Sequence, residues 1–168
     1  MNCEITYLHC GRHLQRSLKN EIDEVLSVVD AIEWKKEFKV VTPDSTLFHQ
    51  TAYNKKFELE FQNLGWKTKP RLSEKPRLIG DFQNGLVFIE VQFGNSATLY
   101  RDFYKFQYGH QNGLLSMGVL IVPVNPKQFF STRPQSVANM AEYELALRYF
   151  TVLPISVPTT IVGLVAGV

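Results

Sequence analysis

Hydrophobic and polar positions alternate along this chain in blocks whose period changes from one block to the next. Leu14, Leu18, Ile22, Val25, Leu26, Val29 and Ile32 recur at helical spacing, with Arg16, Lys19, Glu21, Asp23 and Glu24 between them. The pattern predicts an amphipathic helix of about 18 residues. Val40, Val41 and Thr42 form a short run that stops at Pro43. Between Tyr53 and Leu64 two readings compete. Phe57, Leu59 and Phe61 alternate as in a strand, while Phe57, Phe61 and Leu64 space as in a helix ending at Gly65, and the helix is preferred. Trp66 to Arg77, broken by Pro70 and Pro76, reads as a loop. The apolar runs Leu78 to Phe82 and Leu86 to Phe93 flank a polar turn at Gln83, Asn84 and Gly85, and Asn-Gly in that setting predicts a hairpin. Leu99, Phe103 and Phe106, with Arg101, Asp102 and Lys105, predict a helix ended by Gly109 or Gly113. Met117 to Val124 reads as a buried strand. Val137, Met140, Ala141, Glu144, Leu145 and Arg148 predict a third helix, and Thr160 to Val165 a last buried strand. A strand–helix–strand passage after an antiparallel hairpin implies an α/β fold with a central mixed β-sheet flanked by helices. Without repeats or low-complexity tracts, residues 1–168 read as a single domain.

Composition narrows the class. The chain is 45% hydrophobic and 20% charged, enough for a core and too balanced for disorder. Cys3 and Cys10 are too few to staple a secreted mini-protein, and the N-terminus lacks the basic start and apolar run of a leader. The apolar stretch Val152 to Val168 contains Pro154 and Pro158 and falls short of a spanning helix. The expectation is a soluble, intracellular protein with no membrane partner. A net charge of +2 is too weak to announce a nucleic-acid partner. Its distribution says more: from Lys55 to Arg77 seven basic residues, Lys67, Lys69 and Arg71 among them, stand against three acidic ones. Such a run is a solvated surface loop or, beside a polar site, a phosphate-binding edge, and charge alone leaves both open.

The chemistry concentrates in the hairpin. Asp81 ends its first strand, Glu90 lies near the end of the second, and Gln92 shares a strand face with Glu90. Across the turn Asp81 and Glu90 come opposite or nearly so, and they would repel unless one is protonated or a cation sits between them. Hard oxygen ligands with room for water suit Mg²⁺, which activates a water and stabilises charge on a phosphoryl group. An amphipathic hairpin with polar residues on its outer face would show the same spacing. Against that, these residues interrupt runs that otherwise look buried, where an unpaired charge is costly.

The stretch DFQNGLVFIEVQFGN, residues 81–95, resembles the active site of PD-(D/E)XK nucleases, and more narrowly the BglII/BstYI-like branch of type II restriction endonucleases. That branch carries Gln where most relatives have Lys, in a Glu-Val-Gln-Phe-x-Asn string that Glu90 to Asn95 reproduces. The resemblance spans roughly Tyr53 to Leu164. It implies that Asp81 and Glu90 are the catalytic, metal-binding carboxylates, with the Val91 carbonyl completing the shell and Gln92 orienting the attacking water. Gln can hydrogen-bond that water but carries no positive charge. The implied reaction is Mg²⁺-dependent hydrolysis of double-stranded DNA, leaving 5′-phosphate ends. Base reading would fall to Asn95, Ser131 and Arg133, with Arg suited to guanine and Asn to adenine. A short palindrome with a GATC-like core would be the site. Lys67, Lys69 and Arg71 would track phosphates. The chain stops soon after its last core strand, whereas the namesake of the branch extends further, so the expectation is either fewer flanking bases read or weaker binding.

A palindrome calls for a homodimer, with the helices Leu99 to Tyr108 and Val137 to Phe150 as interface candidates. A cognate DNA methyltransferase and a prokaryotic cytoplasm go with that reading. Two alternatives stand beside it: a structure-selective repair or mobile-element nuclease of the same superfamily, and a DNA-binding module without catalysis. Cys3, His9, Cys10 and His13 lack the spacing of a zinc site and read as ordinary positions at the start of a helix. His49 and His110 read as structural or surface residues. Tyr100, Tyr104 and Tyr108 form an i, i+4, i+8 stripe suited to core or subunit packing.

Overall fold

The computed structural model describes residues 1–33, 39–41, 43–44, 46–48, 50–131 and 138–167. The first half comprises β1 (Cys3–Leu8), α1 (Arg12–Ser17), α2 (Lys19–Ala31), β2 (Lys39–Val41), β3 (Thr46–Phe48) and α3 (Gln50–Asn63). Then come β4 (Lys67–Thr68), β5 (Arg71–Ser73), β6 (Leu78–Ile79), β7 (Phe82–Asn84) and β8 (Val87–Val91). The remainder is α4 (Thr98–Gln111), β9 (Met117–Pro123), α5 (Pro126–Phe129), α6 (Tyr143–Val152) and β10 (Thr159–Leu164).

β8, β9 and β10 are buried along their whole length and pair in parallel, as continuous apolar runs do when both sheet faces are covered. Antiparallel strands complete a six-stranded mixed sheet in the order β1-β10-β9-β8-β7-β4. Alternate residues feed two cores. Ile89, Val119 and Ile121 pack with Val25 and Val29 of α2 and Tyr53, Phe57 and Phe61 of α3. Phe88, Leu120 and Val122 pack with Phe103 and Phe106 of α4 and Ala146 and Phe150 of α6. The α/β fold with a central mixed sheet flanked by helices is the one observed.

Several elements depart from the sequence reading. The helix expected from Leu14 to Ile32 is two helices joined at Leu18, whose φ of −108° and ψ of 19° leave the helical region. Ser17 Oγ donates back to the His13 carbonyl at 3.0 Å, a contact that bends helices. Tyr53 to Leu64 is helical, and Gly65, with φ of +81°, supplies the left-handed residue that ends it. The loop reading of Trp66 to Arg77 is corrected by β4 and β5, which pair with β7 and β6 and are too short to show a period. The third helix begins at Tyr143, because Met140 instead bridges to Asn95. Cys3 lies in β1, an edge strand that the sequence reading did not anticipate. Thr42, His49, Arg133 and Val137 lie outside the described residues.

Two glycines set the position of the site. The hairpin joins Asn84 to Val87 through Gly85 and Leu86, and Gly85 takes φ of +52° at the first loop position. In β9, a side chain on Gly118 would meet the Phe106 ring at 2.5 Å, so the glycine lets α4 lie close on the sheet.

Candidate active site

Asp81 directly precedes β7, whose register with β8 ends at Phe82↔Ile89, so it sits just beyond the paired residues, across the hairpin from Ile89 to Val91. Its backbone is tied on both sides: its N–H donates to the Ile89 carbonyl at 3.2 Å, and its carbonyl accepts from Lys69 N–H at 2.9 Å. Its side chain is tied as well, since Oδ2 accepts from Val91 N–H at 2.8 Å.

Glu90 and Gln92 extend from the β8 face towards α4. Glu90 is only 4% exposed, and its Oε1 accepts from Lys105 Nζ at 2.8 Å. The same ammonium reaches Asp102 Oδ1 at 3.1 Å. Asp102 Oδ2 accepts from Gln92 Nε2 at 2.8 Å, and Gln92 Oε1 accepts from Gly94 N–H at 2.8 Å. Gln92 therefore has both ends of its amide engaged.

Two carboxylates thus share one ammonium, and a third, Asp81, feels its charge without touching it. Burial pushes Glu90 well above the ordinary carboxylate range, Asp102 and Asp81 push it further, and Lys105 opposes them. Burial also raises Asp81, against the Val91 N–H and Lys105, with Asp102 and Glu58 adding repulsion. For Lys105, burial favours the neutral amine, but Glu90 and Asp102 outweigh it and hold the ammonium above its usual range.

This surplus of hard oxygen donors suits a divalent cation. Among the described residues no three His, Cys, Asp or Glu side chains form a metal cluster. A cation at the hairpin would rest on two carboxylates and a main-chain carbonyl, that of Val91. Beside Asp81 and Val91 lies a cavity of about 190 Å³, also lined by Asn54, Phe57, Glu58, Thr68, Lys69 and Phe82.

The other expected residues are spread around this centre. Lys69 borders the cavity, Lys67 is exposed on β4, and Arg71 pairs with Glu74. Asn95 is exposed at the start of α4, where its Oδ1 accepts from Ala97 N–H at 2.8 Å. Ser131 is exposed, and Arg133 lies beyond the described residues. Tyr100 and Tyr104 are half-exposed on α4, Tyr100 stacking on Tyr149 at 4.5 Å. Sequence reasoning placed Asp102 and Lys105 on a helix without giving them a role. Their i, i+3 spacing beside the buried Phe103 and Phe106 was the available signal. Glu58 offered none, because only the packing of α3 brings it to the cavity.

No curated protein sequence matches the chain. Its fold is similar to that in the crystal structure of the restriction endonuclease BglII complexed with a DNA 16-mer, with a TM-score of 0.76 and 18% identity. The similarity covers 99% of this chain and 78% of that one. No helix among the described residues is long and apolar enough to cross a membrane. The family model for restriction endonuclease BglII/BglIII matches residues 4–164. With nearly the whole described sheet and both helical layers inside that match, the chain belongs to the BglII/BglIII family of restriction endonucleases, enzymes that cleave DNA at specific sites.

Proposed function

We propose that this chain hydrolyses double-stranded DNA in a Mg²⁺-dependent reaction, leaving 5′-phosphate ends at a short palindrome with a GATC-like core. The observation that carries the reading is Asp81, held by the Val91 N–H next to the buried Glu90, whose carboxylate shares the Lys105 ammonium with Asp102. Asp81, Glu90 and the Val91 carbonyl would hold Mg²⁺. When bound, it supplies Lewis-acid stabilisation of the charge that develops on the phosphate. Asp81 is held for this by Val91 N–H, and Glu90 by Lys105. Gln92 orients the attacking water only by giving up one of its two amide contacts. Lys69, at the cavity rim, and Lys67 and Arg71 contact phosphates, which position the duplex without reading sequence. Asn95, Ser131 and Arg133 read bases, with Asn95 Nδ2 donating while its Oδ1 accepts from Ala97 N–H. A homodimer matches the two-fold symmetry of a palindrome, and a cognate methyltransferase would protect the host's own sites. The nuclease domain is taken as residues 1–168, in the cytoplasm of a prokaryotic cell.

The test is incubation with unmethylated DNA of known sequence in Mg²⁺ and in EDTA, beside Glu90→Ala. Discrete Mg²⁺-dependent fragments with ends at one GATC-containing sequence, absent in the variant, are expected. Cuts confined to forks or flaps would replace the reading with a structure-selective nuclease. A gel shift without any cleavage would replace it with a binding module.

Mg²⁺ also stabilises the fold in a pH-dependent way. Burial raises Asp81 and Glu90, so the folded chain holds their protons more tightly than the unfolded chain does. Their contribution is therefore favourable below the unfolded carboxyl range and is lost as pH rises through the raised folded values. A divalent ion replaces those protons, so its effect is larger at pH 8, above the unfolded carboxyl range, than at pH 5, close to it. At a hundredfold excess over the dissociation constant it adds about 2.7 kcal/mol, or roughly 5–10 °C at this chain length. Calorimetry at both pH values measures it, and equal shifts would contradict the account.

A further inference from the structure

We infer that Lys105 stands in for the lysine that position 92 lacks: it is a positioning residue that holds Glu90 directly and Gln92 through Asp102. The inference rests on the reading of Asp81 and Glu90 as the metal-holding pair.

The geometry is a continuous chain of contacts. Lys105 Nζ lies 2.8 Å from Glu90 Oε1 and 3.1 Å from Asp102 Oδ1, and Asp102 Oδ2 takes Gln92 Nε2 at 2.8 Å. Glu90 is on β8 and Gln92 directly follows it, with its N–H still bonded to the Ile121 carbonyl of β9, so the two side chains leave the same face. A lysine at position 92 would bring an ammonium to that face from within the strand. Here the ammonium arrives from α4, seated by Gly118 against Phe106. Gln92, pinned at both ends, supplies no charge, and through Gly94 N–H it also fixes the backbone leading towards Asn95.

Stability alone does not account for this arrangement. The Lys105 and Glu90 side chains are 8% and 5% exposed. Replacing a buried ion pair by apolar residues of similar volume is often neutral or stabilising. Phe103 and Phe106 already fill the adjoining core, and an apolar residue at 105 would extend it. The buried charge instead fixes one oxygen of a carboxylate assigned to the metal, as outer partners of metal ligands do.

Four proteins test this: wild type, Lys105→Met, Lys105→Arg, and Lys105→Met combined with Gln92→Lys. Each is assayed for single-turnover cleavage of duplex DNA at saturating Mg²⁺, and for Mg²⁺ binding by calorimetry without DNA. Lys105→Met is expected to lower both cleavage and Mg²⁺ affinity by about 10–100-fold. Lys105→Arg, and the lysine moved to position 92, are expected to recover part of both. Wild-type behaviour of Lys105→Met would overturn the inference. So would folded Arg and Gln92→Lys proteins that recover nothing, since that is the result of a purely structural ion pair. If Lys105→Met does not fold, Lys105→Met with Asp102→Asn replaces it, because that pair leaves fewer buried charges unmatched. Absence of cleavage by wild type would defeat the Mg²⁺-nuclease reading, and the calorimetric comparison would still decide the role of Lys105.

Discussion

Asp81→Asn will abolish Mg²⁺-dependent cleavage and at the same time raise the unfolding temperature of the metal-free protein. The two effects share one cause. Asp81 is a part-buried carboxyl that burial and its neighbours Asp102 and Glu58 hold above its ordinary range, so its negative charge opposes folding at neutral pH. Asparagine removes that charge and keeps an oxygen to accept from Val91 N–H, the contact made now by Oδ2 at 2.8 Å. Relief of such a functional strain is worth about 0.5–2 kcal/mol. Cleavage falls by at least about 10²–10³-fold, the effect of removing one preorganised electrostatic group from a reaction centre. Single-turnover cleavage and calorimetry in EDTA measure the two sides. A variant that still cuts, or one that melts below wild type, would contradict the assignment of Asp81.

Phe61→Ala will have the largest effect on stability. Phe61 is fully buried in α3 and lies 4.5 Å from the Phe82 ring, stacked, and 5.1 Å from Trp66. Phe57 stacks on it from the preceding turn at 6.4 Å. Removing a buried aromatic side chain costs about 3–5 kcal/mol, because transfer and cavity losses add. The surrounding rings come from α3, β7 and the segment between them, so no single neighbour can move in to fill the space. At this chain length the loss lowers the midpoint by about 10 °C or more. Denaturant titration with an unchanged slope would attribute the loss to the folded state. Since Phe82 follows Asp81 directly, Mg²⁺-induced stabilisation is expected to shrink in the same variant. A loss below 1 kcal/mol would mean that α3 does not brace the hairpin.

Much of the fold was legible in the sequence because its core strands are read locally. Val87 to Val91, Met117 to Pro123 and Thr159 to Leu164 are continuous branched runs, and their burial on both faces follows from that composition. The hairpin was legible too, since a two-residue turn at Gly85 dictates the register from Asn84↔Val87 to Phe82↔Ile89. Short strands were not. Lys67–Thr68 and Arg71–Ser73 take their strand character from partners across the sheet rather than from their own pattern. Nor was the α4 contribution to the site legible. Asp102 and Lys105 look like the solvated side of a helix until packing turns that side towards Glu90. Glu24 is similar: it accepts from Trp66 Nε1 at 2.6 Å and from Asn84 Nδ2 at 3.3 Å, joining α2 to the hairpin through residues far apart in the chain.

The strand order has a consequence for the moment at which this protein becomes competent. β10 lies between β1 and β9, antiparallel to one and parallel to the other, although it follows every other described strand in the chain. During synthesis Asp81, Glu90 and Lys105 are therefore all made while the sheet still has a gap. Until Thr159 to Leu164 arrive, β1 has no partner and β9 has one open edge, the condition in which strands pair with other chains instead. Among the described strands, the last to be translated is the one that closes the sheet. A nascent chain thus carries every proposed catalytic group before it has the rigid frame to hold them, and competence waits until Thr159 to Leu164 have been made.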